Sequence, residues 1–98
     1  MKRNAKVDSN QKQIVAALRG VGCYVLHLHQ IKNAFDILVF YKGNVFCVEI
    51  KDGTKFASQQ KLTKGEISCK ESMESVGVKY HIVTSVQDAI KLIESSNT

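Results

Sequence analysis

Apolar positions follow two rhythms along this chain, a three-to-four-residue spacing in some segments and near-continuous or alternating runs in others. Ile14, Val15, Leu18 and Val21 recur at helical spacing. Asp8 or Ser9 can cap that helix, and Gly20 and Gly22 end it. "CYVLHLH" (Cys23–His29) is rich in strand-forming residues and predicts a first strand. Two further apolar runs, roughly Phe35–Tyr41 and Val45–Lys51, predict a hairpin. Its tight turn is either Lys42-Gly43 or Gly43-Asn44. Asp52–Leu62 is polar and aperiodic, a long loop of the functional or disordered kind. "TKGE" (Thr63–Glu66) fits a capping box, and the helix behind it carries Cys69, Met73 and Val76 on one face up to Gly77. "YHIVT" (Tyr80–Thr84) predicts a fourth strand. Ser85 and Asp88 resemble a second capping box, opening a helix whose apolar face is Val86, Ala89, Ile90, Leu92 and Ile93.

The order is therefore α-β-β-β-α-β-α. An antiparallel hairpin followed by a helical crossover implies an α/β fold with a single mixed sheet flanked by helices. At 98 residues the chain has the length of a single domain, with a core thin enough that oligomerisation would help it.

The hairpin also carries charge. Glu49 and Lys51 share one face of their strand, because side chains alternate. With a Lys42-Gly43 turn, Asp36 stands directly opposite Glu49. With a Gly43-Asn44 turn it faces Lys51 and is diagonal to Glu49. Either register gathers all three on one face, ~4.5–8 Å apart between Cβ atoms. Two carboxylates that close repel unless one is protonated or a cation lies between them. Mg2+ takes oxygen ligands of this kind and keeps several waters. A cation so placed can lower the pKa of water and offset charge on a phosphoryl oxygen, with Lys51 adding positive charge beside it. The set suits metal-assisted hydrolysis of a phosphodiester. An ordinary solvated strand face also carries E-x-K pairs, but here the same face holds Leu38, Phe40 and Cys47. Charge clustered at one end of an apolar face is costly unless it has a purpose or reaches water.

Composition narrows the classes. The chain is 44% hydrophobic and 23% charged, a globular balance. No apolar run approaches the ~18–20 residues of a membrane helix. The start "MKRNAKVDSNQKQ" lacks the apolar stretch of a signal peptide. Cys23, Cys47 and Cys69 lack metal-like spacing and read as reduced thiols of a cytoplasmic protein. The net charge of +5 favours a polyanionic partner, though only weakly.

A first helix, an early Asp in the second strand, and E-x-K in the third before a helical crossover together resemble the PD-(D/E)XK nuclease superfamily. Within it the chain looks most like the small stand-alone VRR-Nuc proteins typical of phages, and more distantly like archaeal Holliday junction resolvases. The matching pieces are "NQKQIVAALRGVG", "FDILVFYKGNVFCVEIKDG", "KLTKGE" and "VTSVQDAIKLI", in that order across nearly the whole chain. The resemblance implies a restriction-endonuclease-like fold and a Mg2+-dependent DNA endonuclease, with Mn2+ able to substitute. It further implies a homodimer acting on branched DNA such as Holliday junctions, in the bacterial cytoplasm if the protein is phage-encoded. Asp36 and Glu49 match the metal-binding carboxylates, the Ile50 carbonyl the group that completes the metal shell, and Lys51 the catalytic lysine. Gln11 falls where related resolvases have a first-helix glutamate. Phe35 replaces the usual proline before the aspartate. Lys64 and Ile67 stand where relatives often have proline and glutamine.

Lys55, Lys61 and Lys64 follow the E-x-K strand and suit contacts to the DNA backbone, which position a duplex without reading sequence. Lys2, Arg3 and Lys6 could act likewise or form a tail. His27 and His29 share a strand face and are read as packing or polar-face residues rather than ligands. A DNA-binding module without cleavage, or a subunit of a replication or packaging assembly, is the alternative class.

Overall fold

The computed structural model describes residues 10–28, 30–53 and 61–95. Among these residues three helices and four strands follow the expected order: α1 (Gln11–Gly20), β1 (Tyr24–His27), β2 (Ile37–Tyr41), β3 (Asn44–Ile50), α2 (Lys64–Ser75), β4 (Tyr80–Val83) and α3 (Val86–Ser95). The strands form one sheet in the order β1-β2-β3-β4. The first two pairings are antiparallel and the last is parallel, so the sheet is mixed.

The hairpin register is settled by its turn. Tyr41 pairs with Asn44, leaving Lys42 and Gly43 as the two turn residues. Both have positive φ, 49° and 84°, as the type I′ turn requires. The Gly43-Asn44 alternative is therefore not the one adopted. The ladder runs from there to Ile37 opposite Val48.

Alternation then sorts the sheet into two faces. Ile37, Val39, Phe46, Val48, Ile50, Val25 and Val83 point to one side and form the core with Ile14, Val15 and Leu18 of α1 and Ala89 and Ile93 of α3. Each of these side chains is at most 6% exposed. Glu49, Lys51, Tyr80, Leu38 and Phe40 belong to the opposite face, over which α2 lies. Towards β1 that face is open: Tyr24 is 63% and Leu26 38% exposed, and Val45 is exposed too.

Both α1 and α2 end in Schellman motifs. Gly22 and Gly77, with φ of 105° and 84°, take the left-handed position. Their N–H groups bond to the carbonyls of Arg19 and Glu74, and the next residues bond to Leu18 and Met73. Val21 and Val76 are therefore C-caps and not part of the helix faces the spacing assigned them to. They are exposed, Val76 at 76%. The start of α1 also departs from expectation. Asp8 and Ser9 lie outside the described residues, and Asn10 takes the cap position without a side-chain cap bond. Its Nδ2 instead donates to the carbonyls of Lys51 (3.2 Å) and Thr84 (3.0 Å), tying α1 to the C-terminal ends of β3 and β4.

The "SVQDA" segment is an anchor for α3. Ser85 Oγ accepts from the Asp88 N–H at 3.0 Å. The Asp88 carboxylate reaches past the cap residue to the Thr84 N–H (3.0 Å) and hydroxyl (2.7 Å). Those bonds hold its pKa below the usual carboxylate value. The capping box is thus shifted by one residue from the expected form, and it fixes the end of β4 beside the site.

Candidate functional site

Asp36 lies just before β2, beyond the last regular pair of the hairpin. Its backbone N–H donates to the Val48 carbonyl at 3.0 Å, and its Oδ2 accepts from the Ile50 N–H at 2.7 Å. The aspartate is thereby locked to the third strand by a charge-assisted bond. Glu49 is 3% exposed. Its Oε2 meets Lys51 Nζ at 3.3 Å. The structure thus brings Asp36, Glu49 and Lys51 together at the C-terminal end of β3, on the face the alternation assigned, with the Ile50 backbone between the last two.

Two further residues join them. Tyr80, at the start of β4, is buried, and its hydroxyl lies 3.4 Å from Glu49 Oε1 and 3.2 Å from the Ala34 carbonyl. It can donate to one of these at a time. Glu66, in the first turn of α2, accepts from Lys51 Nζ at 3.1 Å. The sequence offered no signal for Tyr80 beyond its place in a strand. For Glu66 the only signal was the capping box, which the structure contains in full.

Electrostatics follow from the crowding. Burial, then the Asp36 charge, pushes the Glu49 carboxyl up to about 8 despite the adjacent ammonium. Burial works to raise Glu66 as well, but the Thr63 N–H and the bonds to Glu49 and Lys51 outweigh it and hold it low. Lys51 is raised: burial opposes its charge, and Glu66 and Glu49 more than offset that. The Lys51 ammonium lies between the two carboxyl groups, 3.3 Å from Glu49 and 3.1 Å from Glu66. Burial also raises the Tyr80 hydroxyl.

The donor set fits a hard divalent cation. Asp36 and Glu49 are two carboxyl groups whose mutual repulsion a proton or a cation between them would relieve. Among the described residues no cluster of three or more His, Cys, Asp or Glu side chains is arranged as a metal site. A cation here would rest on two carboxylates, a backbone carbonyl and water.

Gln11 is placed differently. It is 3% exposed, its Nε2 lies 3.4 Å from His27 Nδ1, and its Oε1 has no hydrogen-bond partner among the described residues. That contact belongs to the helix-covered side of the sheet, opposite Glu49. Lys61 and Lys64 are exposed around the start of α2. Lys55, Lys2, Arg3, Lys6 and His29 lie outside the described residues. Burial raises the thiols of Cys23, Cys47 and Cys69, which are unpaired.

No family sequence model and no curated protein sequence matches the chain. A solved structure described as a VRR_NUC domain does match, with a TM-score of 0.63 and 26% identity over 86% of this chain and 89% of that one. This is a VRR-Nuc fold, and the likeness supports VRR-Nuc family membership. The restriction-endonuclease-like architecture and the α-β-β-β-α-β-α order agree with it. The sheet end that carries Asp36, Glu49 and Lys51 gathers the buried charged groups of this face. No helix among the described residues is long and apolar enough to cross a membrane.

Proposed function

We propose that the chain is a Mg2+-dependent DNA endonuclease, with Mn2+ able to substitute, acting as a homodimer on branched DNA such as Holliday junctions. The VRR_NUC likeness supports a nuclease-type function with DNA as partner. The observation that carries the reading is the convergence of Asp36, buried Glu49 and Lys51 at one end of β3.

Asp36, Glu49 and the Ile50 carbonyl would hold the ion. When bound, it lowers the pKa of water and offsets charge on a phosphoryl oxygen. The residues do the rest. The Asp36 bond to the Ile50 N–H fixes one carboxylate, and Tyr80 and Lys51 fix the other. Lys51 presents a charge that the trigonal bipyramidal phosphorus centre needs as negative charge builds. Lys61 and Lys64, with Lys55, contact the DNA backbone.

Dimerisation is supported by the open apolar stretch around Tyr24, Leu26 and Val45, and a two-fold pair would present two equivalent sites to a junction. The site of action would be the bacterial cytoplasm if the protein is phage-encoded. The test is to incubate purified protein with Mg2+ and labelled junction, flap, single-strand and duplex DNA, and to measure its mass by light scattering. We expect junctions to be cut fastest, by a species of twice 10.9 kDa. A monomer, or a preference for plain duplex, would remove the dimer and junction proposals. No cleavage of any substrate would remove the nuclease proposal.

A further inference from the structure

Glu66 stands outside the Asp-Glu-Lys set, yet one of its oxygens does two jobs. Oε1 accepts from the Thr63 N–H at 2.9 Å, completing the α2 cap, and from Lys51 Nζ at 3.1 Å. Glu49 Oε2 holds the same ammonium at 3.3 Å. The Glu66 backbone is itself fixed, because its N–H donates to Thr63 Oγ1 at 3.2 Å.

A lysine stem is flexible, and ordering it costs rotamer freedom. A single partner would leave the ammonium free to swing about that partner. Two partners, one on β3 and one on a capped helix, fix it at a point. A glutamate needed only for capping has no reason to seat itself against a lysine of the neighbouring strand. Yet the Lys51 and Glu66 side chains are only 12% and 19% exposed.

We infer that Glu66 is a positioning residue for Lys51: through its place in the α2 cap it sets where the ammonium stands at the candidate cleavage site. The inference rests on the nuclease reading for its effect on turnover, though not for the contact itself.

Three variants of the full chain separate this role from helix capping. Glu66→Ala removes both bonds and is expected to lower kcat ~10- to 100-fold, as small misplacements of a catalytic group do, with little change in KM. Glu66→Gln keeps an oxygen that can accept both bonds and should recover most of the rate. Thr63→Ala removes the other half of the capping box and leaves the Lys51 contact, so it should lose helix stability while keeping kcat within about threefold. An unchanged kcat in Glu66→Ala, or an equal loss in Thr63→Ala, overturns the inference. Crystal structures of the wild type and Glu66→Ala provide a readout that needs no turnover. We expect Lys51 Nζ to leave its place in the variant, and an unmoved Nζ overturns the inference. If the wild type cleaves no DNA with Mg2+ or Mn2+, the nuclease reading and the turnover effect fall together. The Nζ position then decides alone whether Glu66 holds Lys51.

Discussion

A carboxyl that is 3% exposed and next to other carboxylates can be tolerated with a proton, an ammonium or a metal ion beside it. At Glu49, burial and the Asp36 charge push the carboxyl up from its ordinary 4.5 to about 8, and the Lys51 ammonium works against them. The sign of the consequence is fixed by linkage. Between about 4.5 and 8 the folded chain keeps a proton that the unfolded chain has lost. The stability of metal-free protein therefore falls as pH rises through this window, by up to ~1.4 kcal/mol per pH unit. His81, lowered by burial, acts in the opposite sense below its ordinary 6.5, so a variant must isolate the Glu49 part. Urea unfolding in EDTA across pH 5–9 should show a downward slope that is reduced in Glu49→Gln. An identical slope in the variant would contradict the assignment. Asp36, Glu49 and Lys51 were legible in the sequence because two-residue alternation and a short turn fix which strand residues meet. Tyr80 and Glu66 were not, because they arrive from across the sheet and from the far side of a loop. Glu66 was hidden further by having a complete explanation as a cap.

Elements were legible where pattern and punctuation agreed. The glycines that end α1 and α2 were read correctly as stops. The valines just before them were assigned to helix faces, since periodicity alone cannot tell a last helical residue from a C-cap. The turn was ambiguous between two pairs, because Gly43 and Asn44 both tolerate positive φ, and only the pairing shows Lys42 taking the left-handed position. One glycine has a role that no sequence pattern revealed. A Cβ on Gly65, in the first turn of α2, would fall on the side chain of Asn33 from the β1–β2 connection. Asn33 has a φ of 58°, a conformation that asparagine tolerates better than most residues. Gly65→Ala should therefore cost ~1–3 kcal/mol of stability by overpacking. Asn33→Gly removes the opposing side chain and accepts the same φ, so the double variant should recover much of that loss. A Gly65→Ala protein as stable as wild type would show that the two elements are not pressed together.

At the scale of the whole molecule, the two faces of one sheet divide the work. Helices α1 and α3 bury the apolar face and supply the core. Helix α2 covers part of the other face and sets Glu66 against Lys51 at the end of β3. Asn10 and Asp88 brace that end, through the carbonyls of Lys51 and Thr84 and the Thr84 amide and hydroxyl. Element order exposed this plan in the sequence, since a hairpin, a crossover helix and a fourth strand allow few sheets. The open apolar stretch near β1 was not legible, because it depends on how far α2 reaches. The central claim is that Asp36 and Glu49 hold a divalent cation that DNA cleavage requires. The most direct measurement is Mg2+ binding by calorimetry, paired with cleavage of a labelled junction, for wild type, Asp36→Ala and Glu49→Gln. Wild type is expected to bind Mg2+ and to cut only when it is present. Each variant should lose metal binding and at least ~100-fold of the cleavage rate, the scale of removing a major electrostatic group, while still binding DNA. Cleavage that persists in EDTA, or a variant that cuts at near wild-type rate, would contradict it.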